Sequence, residues 1–159
     1  MRGIVRRIDE LGRIVIPKEI RSLMRIKDGD MIEIKFDDEL IKLSKYSKIS
    51  NIEDIGSILC MVLHNSCKKN VILCDLDKFI ISYGLKVEGD ISDKLIFLLN
   101  ERKFIDDFND EYSYLISPII SNGDVVGGVI LLSKDGNFVD NDRNLLKMTS
   151  QILEKYIEE

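Results

Sequence analysis

Residues 3–21 read GIVRRIDELGRIVIPKEIR. Two β-branched runs, Ile4 to Ile8 and Arg13 to Ile16, flank Asp9-Glu10-Leu11-Gly12, where the glycine admits a positive φ; the pattern predicts two strands joined by a turn. Pro17 ends the second strand, Lys18 to Met24 is long enough for one or two helical turns, and Lys27-Asp28-Gly29-Asp30 closes them. Met31 to Phe36 then alternates strictly, with Ile32, Ile34 and Phe36 on one face, and Asp37-Asp38-Glu39 turns it into Leu40 to Leu43. The outcome is a ββαββ unit within residues 1–48. A unit of that size closes too small a core to offset chain entropy, and it holds neither a disulfide nor metal ligands to compensate. It is expected to be stable only by sharing a core with a second copy.

The same unit holds the positive charge. Residues 1–48 carry 12 Lys and Arg against 9 Asp and Glu, or +3, whereas residues 49–159 carry 11 against 19, or −8. The net charge of −5 therefore hides a basic module joined to an acidic one, which suggests a polyanion-binding domain followed by something else. Arginines at alternate positions of a strand project from one face, and a two-stranded ribbon is narrow enough for the major groove of DNA. Arg6 and Arg13 fall near facing positions of the first hairpin, Arg7 lies on its other face, and Arg21 and Arg25 are one helical turn apart. Charge alone does not separate this reading from arginines that merely solubilise a small domain.

Beyond Lys45-Tyr46-Ser47-Lys48 the period changes from 2 to 3.6 and the charge changes sign, which predicts a boundary between domains 1–48 and 49–159. Ser50-Asn51-Ile52-Glu53 has the form of a capping box, and Ile52, Ile55, Leu59 and Val62 predict a helix over 51–67. Strands follow at Val71 to Cys74 and Phe79 to Tyr83, then a helix from Ser92 to Lys103 and an acidic loop from Asp106 to Glu111. Ser113 to Ile120 and Val125 to Lys134 form a hairpin about Asn122-Gly123. A terminal helix from Asp140 is spaced by Leu145, Thr149, Ile152 and Tyr156. The second domain reads as an antiparallel sheet flanked by helices, an α+β sensor-like fold.

Over residues 3–46, GIVRRIDELGRIVIPKEIR, IKDGDMIEI and IKLSKY resemble the DNA-binding domain of the AbrB-like transition-state regulators. The resemblance implies a mainly β swapped-hairpin barrel made by two interleaved chains, and contact with double-stranded DNA through Arg6, Arg13 and Arg21, with Arg7 beside them. Ser22 stands where many members carry a second arginine, and Arg25 is the candidate substitute. KYSKIS, VILCDLD, YLISPIISNGDVVGGVILLSKD and the terminal helix extend the likeness to sporulation regulators in which a GAF-like domain follows the barrel. Implied are a transcription factor that activates some genes and represses others, a homodimer through the first domain and a homotetramer through the second. No cofactor is implied, and whether the GAF-like domain takes a small ligand stays open.

Rival chemistries are weaker. Asp75-x-Asp77 after an apolar strand is the arrangement of aspartate phosphotransferases, but Phe79 stands where Thr or Val is wanted and the next segment is another strand, so a hairpin turn is favoured. Cys60, His64 and Cys67 share one helical stripe and could ligate zinc or haem, yet at the border of an apolar face such residues are more often packing groups. Gly123, Gly127 and Gly128 match no phosphate-binding loop. No catalysis and no metal are expected. Three cysteines without a C-x-x-C pair fit a reducing, cytoplasmic compartment, and no apolar run approaches a membrane span. An antitoxin is the alternative, because AbrB-like barrels also serve there; a folded second domain in place of a short disordered arm argues against it.

Overall fold

Pro17, with φ −57°, leads the chain into α1 (Lys18–Leu23), and a reverse turn at Lys27–Asp30 with Gly29 at φ 91° delivers it to a hairpin. The hairpin pairs β1 (Ile32–Phe36) with β2 (Ile41–Lys45) in antiparallel register, Ile34 opposite Leu43. Asp37 shapes its turn by accepting from the N–H groups of Glu39 and Leu40. In this computed structural model, which describes residues 3–109 and 111–158, the chain divides into two compact units, Met1–Tyr46 and Ser47–Glu159.

The first unit departs from expectation in one respect. The turn at Asp9–Gly12 forms, but the segments Ile4–Ile8 and Arg13–Ile16 make no ladder with each other or with β1 and β2. Their apolar side chains consequently lie open: Val5 is 90% exposed and Ile8 64%. Among the described residues of this unit only Pro17 is buried. A strand needs a partner on at least one edge to satisfy its N–H and C=O groups, and one chain does not supply it here.

The second unit buries its sheet on both faces. Ser47 accepts from Ser50 N–H and starts a four-residue α2 (Lys48–Asn51), and α3 (Glu53–Cys67) follows a break at Ile52. The cap is thus Ser47 and not the expected Ser50. The break lets Ile49 and Ile52, both buried, enter the core together, which one continuous helix over 51–67 would not allow. β3 (Asn70–Cys74), β4 (Phe79–Tyr83), β5 (Ile105–Phe108), β6 (Ser113–Ser121) and β7 (Asp124–Ser133) form one antiparallel sheet in the order β4-β3-β7-β6-β5. α4 (Asp93–Asn100), capped by Ser92, covers one face, and α3 packs beside α5 (Asp140–Glu158) on the other. Asn122 at φ 54° and Gly123 at φ 81° give the two positive values that a two-residue hairpin turn demands.

Two further expectations are corrected. The acidic stretch from Asp106 is not a loop: Asp106 and Asp107 lie in β5, an edge strand whose outward positions tolerate charge, with Asp106 paired to Arg143 and Asp107 to the Tyr114 hydroxyl. Asp110, in the same stretch, lies outside the described residues. The apolar faces of the long helices are met only in part: Ile52 at the start of α3, Ile55 and Leu59 on it, and Leu145 and Thr149 on α5 lie in or against the core, whereas the later positions of each stripe turn outward. α5 buries Leu146, Thr149 and Leu153, and α3 buries Cys60, Leu63 and Cys67, leaving Val62, Ile152 and Tyr156 exposed.

Gly127 marks where the layers come closest, since a Cβ built there would sit 2.2 Å from the Cys74 carbonyl oxygen and 2.9 Å from the Ile49 side chain. Backbone cannot yield as a flexible side-chain tip can. Gly127→Ala is expected to lower stability by about 1–3 kcal/mol or more, read as a lower urea midpoint at unchanged slope.

Candidate nucleic-acid interface

Asp9 organises the exposed tip of the first unit. Its Oδ1 accepts from Leu11 N–H at 3.0 Å and Arg13 N–H at 2.8 Å, while Oδ2 accepts from Arg13 Nε at 2.7 Å. Asp9 N–H donates to the Arg13 carbonyl at 3.1 Å, and Gly12, at φ 76°, donates back to the Asp9 carbonyl at 3.0 Å. The tip is a closed ring of bonds that sets the direction of one arginine. The Arg13 N–H, then its guanidinium, hold the Asp9 carboxyl below its ordinary value. Asp9 was not among the candidates read from the sequence, although an aspartate four residues before an arginine, across a turn glycine, is the signal that finds it.

The other arginines are held more loosely. Arg21, in the last turn of α1, has its guanidinium 3.6 Å from the fully exposed Asp28 carboxylate. Arg6 and Arg7 are exposed, and Arg6 borders an apolar groove formed with Ile4, Ile14, Ile20, Met24 and Ile32. Arg25 is corrected in position: α1 ends at Leu23, and Arg25 stands beyond it at φ 53°, so it does not share a helical face with Arg21. Exposed ion pairs such as Arg21–Asp28 are worth roughly 0–1 kcal/mol, so phosphate exchanges for them at little cost. Charge-assisted bonds to phosphate are the stronger option for a guanidinium.

The remaining candidates are accounted for by structure. Cys60 and Cys67 point into the core, and burial pushes both thiols up to about 12, with Asp142 adding to it at Cys67. Buried and held in the thiol form, they are packing groups and poor nucleophiles. His64 Nδ1 lies 2.7 Å from the Lys69 carbonyl oxygen, and its ring stacks on Tyr83. Asp75 Oδ1 accepts from the N–H groups of Asp77 and Lys78, both at 2.7 Å, so the aspartate shapes the β3–β4 turn. Among the described residues no helix is long and apolar enough to cross a membrane.

Comparison with known proteins separates the readings. Residues 51–158 match the family model described as the stage V sporulation protein T C-terminal, transcription factor. Stage V sporulation protein T of Bacillus subtilis is 34% identical over 99% of this chain and 98% of its own length. The chain belongs to the stage V sporulation protein T family. It is accordingly a sporulation transcriptional regulator with an AbrB-like first domain and a GAF-like second one. The transition state regulatory protein AbrB of Bacillus subtilis is 46% identical over 35% of this chain and 58% of its length. Residues 5–51 also match a model described as antidote-toxin recognition MazE, bacterial antitoxin. That model ends at residue 51, and the full-length relation to stage V sporulation protein T sets the antitoxin alternative aside.

Solved structures share the fold of the second domain. The cofactor-binding GAF domain of the nutrient sensor CodY from Clostridium difficile aligns over 64% of this chain and 83% of its own at a TM-score of 0.53 and 13% identity. Type II free methionine-R-sulfoxide reductase from Thermoplasma acidophilum aligns over 67% and 94% at 0.54 and 16%. A sensor and an enzyme on one scaffold show that this fold does not choose a function by itself.

Because the folded-state carboxyl of Asp9 is depressed, its stabilisation of the tip is present above the ordinary value of 3.8 and is lost as pH falls through the lower, folded one. A carbon-13 NMR titration of Asp9 should give a value below 3.8. In Arg13→Ala the value should rise but stay below 3.8, since the backbone N–H, the larger cause, is retained.

Proposed function

We propose that two copies of the first unit interleave residues 3–17 to complete a barrel, and that the barrel grips double-stranded DNA through Arg6, Arg7, Arg13 and Arg21, with Arg25 at its margin. The observation that carries this reading is the unfilled half-core: an apolar groove of about 280 Å³ that Ile4 and Ile14 of the arms help to line, while Val5, Ile8 and Leu11 face solvent. Ordering a residue costs about 1–2 kcal/mol of backbone entropy, and burying an Ile or Val contributes roughly 1.5–3. The arms therefore gain by ordering only where something covers them, and a second copy offers matching grooves. Pairing doubles each arginine, and the absence of Asn or Gln beside Arg6 and Arg13 favours phosphate contact over strict base reading. A protein that holds the chromosome acts in the cytoplasm.

The second unit serves assembly in this reading. Ile58, Met61 and Val62 on α3 and Met148, Ile152 and Tyr156 on α5 are exposed on two neighbouring helices, which suits a dimer of dimers. Its net −8 makes it no second DNA clamp, so it contributes through avidity, which can reach a hundredfold or more.

Arg13→Ala should weaken binding to all duplexes alike and lower the logarithmic salt slope by about 1 in gel-shift titrations; unchanged slope and affinity would sink the assignment. Ile152→Glu in the full chain should halve the mass measured by light scattering. It should cost affinity on long DNA and little on a short single site. A mass and a long-DNA affinity both unchanged would contradict the assembly role.

A further inference from the structure

Two carboxylates sit beside arginines of the candidate interface, and they hold different parts of the guanidinium. Asp9 meets Arg13 at Nε, 2.7 Å from its Oδ2. Asp28 meets Arg21 at Nη1, 3.6 Å from its Oδ1. Nε is the inner corner of the planar fork, whereas Nη1 and Nη2 form the outer pair that can meet a phosphate end-on through two parallel N–H bonds. The carboxylate at Arg13 therefore leaves the outer pair to be used. The one at Arg21 stands where a phosphate oxygen would stand.

The two acids also differ in how firmly they are held. Asp9 Oδ1 accepts from Leu11 N–H at 3.0 Å and from Arg13 N–H at 2.8 Å, so the backbone pins the carboxylate that meets the guanidinium. Arg13 is thus bound twice by one residue, at its main chain and at Nε, and its side chain is still 71% exposed. Asp28 is fully exposed in the turn after α1, and its 3.6 Å separation from Arg21 is too long for a hydrogen bond. Immobilising a long side chain on binding weakens an interaction by roughly 2- to 10-fold, a loss that an arginine already held in place avoids. Against this, a carboxylate repels a nearby phosphate, but between exposed groups in salt the effect is small.

We infer that Asp9 is a positioning residue for DNA binding: it holds Arg13 by Nε so that Nη1 and Nη2 meet a phosphate already oriented, and this order outweighs the repulsion between carboxylate and phosphate. Asp28 is the reverse case, a competitor that phosphate displaces from Arg21. The inference rests on the reading of Arg13 as a DNA contact, and adds that an acidic residue strengthens the grip on a polyanion.

The test compares full-length variants for affinity to one short duplex by fluorescence anisotropy at about 0.1 M salt. Asp9→Asn keeps an Oδ1 acceptor for the two backbone N–H groups but puts an NH₂ opposite Nε, so the turn survives and the guanidinium is released. It should weaken binding by about 3- to 10-fold although it removes a negative charge. Asp28→Asn removes the same charge and should leave affinity unchanged or raise it. In an Arg13→Ala background Asp9→Asn should cost nothing, because no guanidinium remains to be oriented. Damage to the turn, by contrast, would weaken binding with or without Arg13. Equal or tighter binding by Asp9→Asn when Arg13 is present, or the same loss when it is absent, overturns the inference. So does an equal loss in Asp28→Asn, which would mark a general effect of either carboxylate. If Arg13→Ala itself binds normally, the DNA reading of Arg13 fails and the positioning role with it; if Arg13→Ala binds weakly while Asp9→Asn matches the parent, only the positioning role fails.

Discussion

The architecture depends on one shortage. The first 46 residues hold many aliphatic side chains and almost no means of enclosing them, since among the described residues only Pro17 is buried while Val5, Leu23 and Phe36 stand almost fully in solvent. A chain this short exposes too much surface for the volume it can wrap. Natural small domains meet this with disulfides, metals or partners, and the three cysteines all lie in the other unit. In the proposed dimer a second copy is the partner, and the segments it would cover carry the arginines.

That coupling gives the charge its purpose. Arg13 is aimed by a local ring of bonds through Asp9 that one chain completes by itself, whereas Arg6 borders the open groove and acquires a defined surrounding only when the groove is filled. In the proposed dimer, folding of the barrel and formation of the basic face are a single event. The second unit stands in contrast: its sheet is covered on both sides, and among the described residues its buried polar groups include the Ser117–Ser150 hydroxyl pair.

Much of this was legible from residue order alone. Asn122-Gly123 announced the β6–β7 hairpin because two positive φ values are affordable there, and Pro17 announced the entry to α1. The uninterrupted apolar run Val71 to Cys74 proved to be a strand with both faces covered, Val71 and Leu73 on one and Ile72 and Cys74 on the other. The misreadings share a cause, which is that local pattern does not know what lies across from it. Ser50 and Ser47 both precede a helical pattern, and the burial of Ile49 against the sheet decided between them. On α5 the stripe Leu145, Thr149, Ile152, Tyr156 follows the inner face through Thr149 and leaves it at Ile152, because Leu153 beside it is equally apolar and only packing identifies the inner one. Asp106 and Asp107 looked like loop residues because an edge strand tolerates charge that a central strand does not. At the candidate interface the arginines were visible as charge, but the role of Asp9 required the geometry of the turn. The displacement of Arg25 from the Arg21 face required knowing that α1 stops at Leu23.

The central claim of the proposal is that a second chain fills the first unit's groove. An isotope-filtered NOE experiment on an equal mixture of labelled and unlabelled full-length chains, mixed in denaturant and refolded, examines this directly. The account predicts strong intermolecular contacts between the methyls of Ile4 or Ile14 in one chain and those of Ile32 or Leu43 in the other. Contacts among these methyls that arise only within a chain, with none between labelled and unlabelled copies, would contradict it.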